Sequence, residues 1–306
     1  MSVADAILRG DRQALARGLS QVEALGAEAV ALLDAVWSRT GRARRVGITG
    51  PPGAGKSTLV ARLVRLFREA DRKVGVVAVD PSSAFTGGAL LGDRHRMSRE
   101  AFDEQVFVRS LASRGSLGGL SRAAPAALDL MDAAGFDLLL VETVGVGQVE
   151  IEVAATADSV VVVLSPESGD AVQAMKAGLL EIADVLCINK SDREGADALA
   201  ASLESMLDRR EAPWRPPVVR TNALESAAAL HEALAAHAAY LDENGHLEER
   251  RNEGFTRRLR NLVADLVAEA VLGGAGPEID QAVADVSAGR RSILGAARRA
   301  AEAIVP

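Results

Sequence analysis

Between residues 46 and 221 the chain alternates short apolar runs with stretches of helical spacing, and this alternation constrains its fold more than any other feature. The runs are Val46–Thr49, Val74–Val79, Val106–Val108, Leu138–Val141, Val160–Leu164, Val185–Ile188 and Val218–Val219. They are nearly continuous in Val, Leu and Ile, as strands covered on both faces must be. Seven such strands joined by helices predict an open, mostly parallel α/β sheet flanked by helices. In sheets of that kind ligands bind beyond the carboxyl ends of the strands. Thr49 with Gly50, Asp80, Glu142, Ser165 and Asn189 all fall at those ends.

The flanking sequence has a different period. Val3, Ala6 and Ile7, then Leu15, Leu19, Val22 and Leu25, then Leu32, Leu33, Val36 and Trp37 step at helical spacing. Residues 1–44 therefore read as a helical N-terminal extension, and a short basic stretch, Gly41–Arg45, taken as solvated linker, leads into the core. Residues 45–238 hold the α/β domain. Residues 239–306 read as a helical arm: Phe255, Leu259, Leu262, Leu266 and Ala270 step by three and four. Gly273-Gly274 ends that helix, Pro277 suits the first turn of the next, and Gly289 precedes the last. Such an arm cannot build a large core alone. It packs back on the domain or reaches a second subunit, and dimerisation is the favoured reading.

Composition narrows the classes. A chain of 306 residues can bury one sizeable core plus appendages. A net charge of −7 opposes a non-specific nucleic-acid surface. Cys187 is the single cysteine, which leaves no disulfide framework and no soft-metal cluster. No apolar stretch is long enough to cross a bilayer, and residues 1–12 carry no secretory signal pattern. The expected location is the cytoplasm, with neither nucleic acid nor membrane as partner.

The chemistry begins at Gly50-Pro51-Pro52-Gly53-Ala54-Gly55-Lys56-Ser57-Thr58, which fits G-x-x-x-x-G-K-[ST] at every fixed position. The run follows a strand and opens a helix expected over Thr58–Glu69, so its amides point at phosphates. Pro51 and Pro52 stiffen the entry and lack donors, leaving Gly53, Ala54, Gly55, Lys56, Ser57 and Thr58 to supply them. Only four of the 35 basic residues are lysine: Lys56, Lys73, Lys176 and Lys190. Lys56 supplies a compact ammonium that reaches the β- and γ-phosphates, where a planar guanidinium fits poorly. Ser57 offers its hydroxyl to Mg²⁺, a cation that takes oxygen ligands and keeps water. Glu142, Asp80 and Asp93 are the candidate carboxylates, with capping or turn chemistry as their ordinary alternative.

Asn189-Lys190-Ser191-Asp192 follows the sixth strand and reads guanine. An Asp192 carboxylate accepts from N1–H and the exocyclic amine, donors that adenine does not present together. Asn189 would bridge the base to the phosphate loop, and the Lys190 stem would cover the ring. After the seventh strand, Asn222, Ala223 and Leu224 offer a backbone amide to O6. Two loops suit a γ-phosphate sensor. One runs through Gly145 to Gln148, which orients the attacking water or is an ordinary exposed residue. The other holds Asp170, read first as a helix N-cap, and Lys176, whose rarity among the arginines tilts it toward a phosphate or switch role.

With these residues in place, the chain resembles the MeaB/ArgK-type P-loop GTPases, chaperones of adenosylcobalamin-dependent acyl-CoA mutases such as methylmalonyl-CoA mutase. The resemblance spans nearly the whole chain. It includes Leu8–Arg12, the phosphate loop, Val79-Asp80-Pro81-Ser82-Ser83, Leu91-Gly92-Asp93-Arg94, Glu142-Thr143-Val144-Gly145-Val146-Gly147-Gln148 and Ser168-Gly169-Asp170 with Gln173 and Lys176. It implies Mg²⁺ around Ser57, Asp80, Asp93 and Glu142, switch roles for Asp170 and Lys176, and a homodimer through the C-terminal helices. It also implies slow conversion of GTP to GDP and phosphate, stimulated by a mutase whose cofactor loading the GTPase gates and whose radical chemistry it protects. Two departures are local: His95 lies within Arg94–Met97, and Asn222 stands where serine is common. A metal-delivery GTPase is a rival, but one Cys and four scattered His are poor soft-metal ligands. A protein kinase of an amino-acid transport system is another, but no protein-kinase signature appears. A binding switch that barely hydrolyses GTP differs only in kinetics.

Overall fold

The structure is a computed structural model. It describes residues 2–81, 103–113, 123–143, 153, 155–167, 179–209, 212–274, 276–288 and 290–304. Helices α1 (Val3–Leu8), α2 (Arg12–Ala24) and α3 (Ala27–Val36) open the chain. Ser2 and Asp5 form a reciprocal capping box on α1, and Asp11 accepts the Gln13 and Ala14 amides to start α2.

The core follows as β1 (Arg44–Thr49), α4 (Lys56–Glu69), β2 (Val74–Pro81), β3 (Val106–Ser113), α5 (Ala123–Ala133), β4 (Leu138–Thr143) and β5 (Ser159–Leu164). It continues with α6 (Leu179–Ile182), β6 (Val185–Ile188), α7 (Ala196–Leu207), β7 (Val218–Arg220) and α8 (Ala228–Glu243). The seven strands form one sheet in the order β3-β2-β4-β1-β5-β6-β7, and every ladder is parallel. This is the α/β architecture that the apolar runs predict.

Alternate residues on a strand point to opposite faces, and the cores divide accordingly. On β2, Val74 and Val76 face a core with α4 and α8, whereas Val77 and Val79 face one with α1–α3 and α5. On β5, Val161 and Val163 join the α4 face, and Val160, Val162 and Leu164 pack with α7. The chain runs outward from β1 to β2 and β3, returns through β4, then crosses to β5. The chain therefore leaves β1 toward β2 and later passes it in the opposite direction, from β4 to β5. The crevice beyond the carboxyl end of β1 is the switch point where such sheets bind ligands.

Three local expectations need correction. Strand β3 continues past Val108 to Ser113, because an edge strand needs only one partner ladder and tolerates polar residues. Arg109 there pairs with Glu23 at 2.7 Å. Helix α4 begins at Lys56 rather than Thr58, since Gly55 turns the backbone left-handed just before it. Finally, Gly41–Arg45 is not simply a solvated linker. Arg44 and Arg45 start β1, and Arg45 is only 6% exposed. Its guanidinium pairs with Asp129 and Asp132, each at 3.0 Å. Burial penalises its charge, but those two carboxylates outweigh the penalty and hold it protonated. Asp132 also accepts the amides of Gly41, Arg42 and Ala43.

A long helix, α9 (His246–Gly274), follows, then α10 (Gly276–Ser287) and α11 (Ile293–Ile304). The chain divides into two compact units, Met1–Gly254 and Phe255–Pro306. In the first, Arg250 chelates Asp184 and Arg251 chelates Asp158. In the second, α10 packs on α11, and Leu259, Leu262, Val263, Leu266 and Val267 of α9 are exposed. Among the described residues no helix is long and apolar enough to cross a membrane.

Candidate nucleotide site

Strand β1 delivers the glycine run to the switch point, and two glycines there are obligatory. Gly50 has φ 136°, and an added Cβ would lie 2.0 Å from the Val163 carbonyl oxygen on β5. Gly55 has φ 90°, with the Asn189 amide nitrogen 2.3 Å from the same point. Gly55 offers no side-chain cap to α4, so the first-turn amides remain available to a phosphate. Lys56 is buried and its ammonium curls over the loop, donating to the carbonyls of Gly50 at 2.8 Å and Pro51 at 3.0 Å.

Beside it, buried Ser57 donates its hydroxyl to Glu142 Oε1 at 2.5 Å. Glu142 is at the end of β4, opposite Ala78 on β2, so the Asp80 backbone lies on the same edge of the sheet. One residue past Glu142, Thr143 donates to Thr49 Oγ1 at 3.0 Å, tying the end of β4 to the end of β1. A hydroxyl and a carboxylate side by side form a hard-oxygen donor pair that fits Mg²⁺ with its retained waters. Among the described residues no group of three or more His, Cys, Asp or Glu gathers as a metal cluster. Asp93, Gly145, Gln148, Asp170 and Lys176 lie outside the described residues.

The guanine-type motif is on the same edge, at the end of β6. Asn189 is buried and acts as a brace. Its Nδ2 donates to the Ala54 carbonyl at 2.8 Å, and its Oδ1 accepts the Ala223 amide at 3.0 Å and the Thr221 hydroxyl at 3.3 Å. The phosphate loop and the loop after β7 are thus held by one side chain. Lys190 adopts φ 56°, and Asp192, two residues on, is exposed. Asn222 Oδ1 accepts the Leu224 amide at 3.2 Å, closing a side-chain turn.

Two residues escape the sequence reading. Glu167, just after β5, accepts Lys190 Nζ at 3.0 Å and pairs with Arg193, thereby holding the Lys190 stem. Arg62 of α4 donates to the carbonyls of Ala223 and Leu224. Neither carries a local sequence signal, because each partner lies in a distant segment.

The family model for "Methylmalonyl Co-A mutase-associated GTPase MeaB" matches residues 15–275. The chain belongs to the MeaB family. It is 47% identical over 270 residues to a putative GTPase of Pyrococcus abyssi, covering 86% of this chain and 83% of that one. It is 38% identical over 271 residues to the GTPase ArgK of Escherichia coli, covering 85% and 82%. A solved structure titled LAO/AO transport system kinase superposes with a TM-score of 0.76 at 28% identity, covering 99% of this chain and 97% of that one. The MeaB match takes in the phosphate loop, the Glu142 strand end and the Asn189 motif, which makes this chain a GTPase-family member with a guanine-nucleotide site.

Proposed function

We propose that the protein is a Mg²⁺-dependent GTPase that acts as a chaperone for an adenosylcobalamin-dependent acyl-CoA mutase, methylmalonyl-CoA mutase or a relative. In this role it gates cofactor loading and protects the mutase. The observation that carries the catalytic half is the junction of Ser57 with Glu142 beside the Lys56 loop, all joined through Asn189 to the base loop. The mutase half is supported by the family to which the chain belongs.

Loop amides from Gly53 to Thr58 and the Lys56 ammonium hold the β- and γ-phosphates, where fixed donors stabilise charge as a water displaces GDP from the γ-phosphorus. Ser57, Glu142, Asp80 and Asp93 would hold Mg²⁺, which would supply charge neutralisation for the phosphates. Gln148 orients the water, Gly145 serves nucleotide binding as part of the γ-phosphate-sensing loop, and Asp170 and Lys176 report nucleotide state to the mutase. Asp192 selects guanine, with Asn189, Lys190, Asn222, Ala223 and Leu224 around the base. Hydrolysis is slow alone and faster beside the mutase. We further propose an N-terminal extension over 1–44, the GTPase domain over 45–238 and a dimerising arm over 239–306. The protein is then a cytoplasmic homodimer without nucleic-acid or membrane partners.

The test is GTP hydrolysis by the purified chain with and without a cobalamin mutase, alongside Lys56→Ala. Stimulation by the mutase and loss of turnover in the variant are expected. Unchanged turnover in Lys56→Ala removes the site, and hydrolysis indifferent to every acyl-CoA mutase removes the chaperone role.

A further inference from the structure

Arg62 lies six residues after Lys56 on α4, about 9 Å along the helix axis. Its Nε donates to the Ala223 carbonyl at 2.9 Å, and its Nη2 donates to the carbonyl of Leu224. Consecutive carbonyls are thus taken by the two prongs of one planar fork, a geometry that an ammonium does not reproduce. The peptide on the other side of Ala223 is also held, because the Ala223 amide donates to Asn189 Oδ1 at 3.0 Å. Asn189 in turn grips Ala54 of the phosphate loop.

A closed ring results: phosphate loop, Asn189, Ala223, Arg62, then back along α4 to Lys56 and Ser57. Ala223 itself is buried in the core that α4 shares with α8, so the loop and the helix also meet through packing. The Leu224 side chain is 76% exposed, and Asn222 closes the turn, its Oδ1 accepting the Leu224 amide and its carbonyl the amides of Glu225 and Ser226. Arg62 is half-buried, and its guanidinium points its Nε and Nη2 donors at these two carbonyls.

We infer that Arg62 is a positioning residue for guanine selection: it sets the height of the Ala223–Leu224 backbone over the base, using the phosphate-gripping helix as its anchor. The inference rests on the guanine-site reading above and adds a determinant outside the phosphate and base motifs. Because Arg62 joins the two halves of the nucleotide site through backbone carbonyls, its loss falls on base contacts and spares phosphate contacts.

The test is calorimetric titration of the full chain, with Mg²⁺, against GTP, ATP and inorganic tripolyphosphate, for wild type, Arg62→Ala and Arg62→Lys. Wild type is expected to bind GTP more tightly than ATP. In Arg62→Ala the GTP Kd rises about tenfold, the scale of one charge-assisted hydrogen bond, while the tripolyphosphate Kd stays within about twofold. Arg62→Lys, which keeps charge but not the fork, recovers only part of that loss and serves as the readout if the alanine variant fails to fold. Equal weakening of GTP and tripolyphosphate, or an unaltered GTP Kd in either folded variant, overturns the assignment. A wild type indifferent to the base instead overturns the guanine reading, and this inference with it.

Discussion

Ser57 and Glu142 lie 85 residues apart in sequence and share a hydrogen bond of 2.5 Å, both buried at the carboxyl edge of the sheet. A carboxylate at the tip of a wholly apolar strand is costly unless something meets its charge, and here a hydroxyl from the phosphate-loop helix contributes to doing so. The pair stores two oxygen donors side by side, one neutral and one anionic.

Glu142→Gln preserves shape and removes the charge. The Mg²⁺ concentration for half-maximal GTP hydrolysis is expected to rise about 10- to 100-fold, the usual range for losing a metal-orienting group. A magnesium titration of the steady-state rate reads this directly, and an unshifted midpoint would remove Glu142 from the cation site.

Asp192 is exposed, so Asp192→Asn should leave stability within about 0.5 kcal/mol of wild type. Its effect is expected on selectivity. The preference for GTP over ATP, measured as a ratio of kcat/KM, falls by at least about 10²-fold, since a lost polar match in a site built for it is expensive. Retained preference would place base selection elsewhere.

The seven strands are legible in the sequence because parallel strands buried on both faces must be unbroken in Val, Leu and Ile, and each apolar run became one. The ends of those runs located Gly50, Glu142 and Asn189 for the same reason: polar residues are tolerated where a buried strand reaches the ligand edge. Arg45 and Arg62 were illegible. Their partners lie 87 and 161 residues away, and a side chain reaching across the fold leaves no periodicity behind. The outer half of β3 was hidden because Arg109 and Ser110 break the apolar run, which an edge strand permits.

Arg45 is paired with Asp129 and Asp132 in a site almost closed to water. Arg45→Ala leaves two buried carboxylates without their cation, and a loss of about 3–5 kcal/mol is expected in urea unfolding. Nucleotide affinity measured below the transition should be unaltered, since this cluster joins α5 to the start of β1, the strand end away from the phosphate loop. A loss under about 1 kcal/mol would show that the pair is screened.

His237 gives a pH dependence. Its Nδ1 lies 2.8 Å from Ser159 Oγ and its Nε2 3.4 Å from Asp184, while Trp214 and Tyr240 flank the ring. Burial lowers its pKa below the ordinary 6.5, against the pull of Asp184 and Asp158 and with the help of Arg250 and Arg44. The unfolded chain therefore binds the proton first. Stability is fully present above about pH 6.5 and is lost as pH falls toward the folded value. Denaturation midpoints between pH 5 and 8 should show this slope, and His237→Gln should flatten it. A slope that persists in the variant would assign it to other groups.

The paired forks of Arg250 and Arg251 have a practical consequence. They bolt the opening turns of α9 to Asp184 and Asp158, and Arg251 also takes the carbonyls of Gly41 and Ala43. A chain shortened ahead of residue 246 would strip the countercharge from two enclosed aspartates and unpick the entry to β1. Any dissection of the C-terminal helices from the catalytic body must therefore cut downstream of Gly254, leaving the two arginines as the body's own clasp.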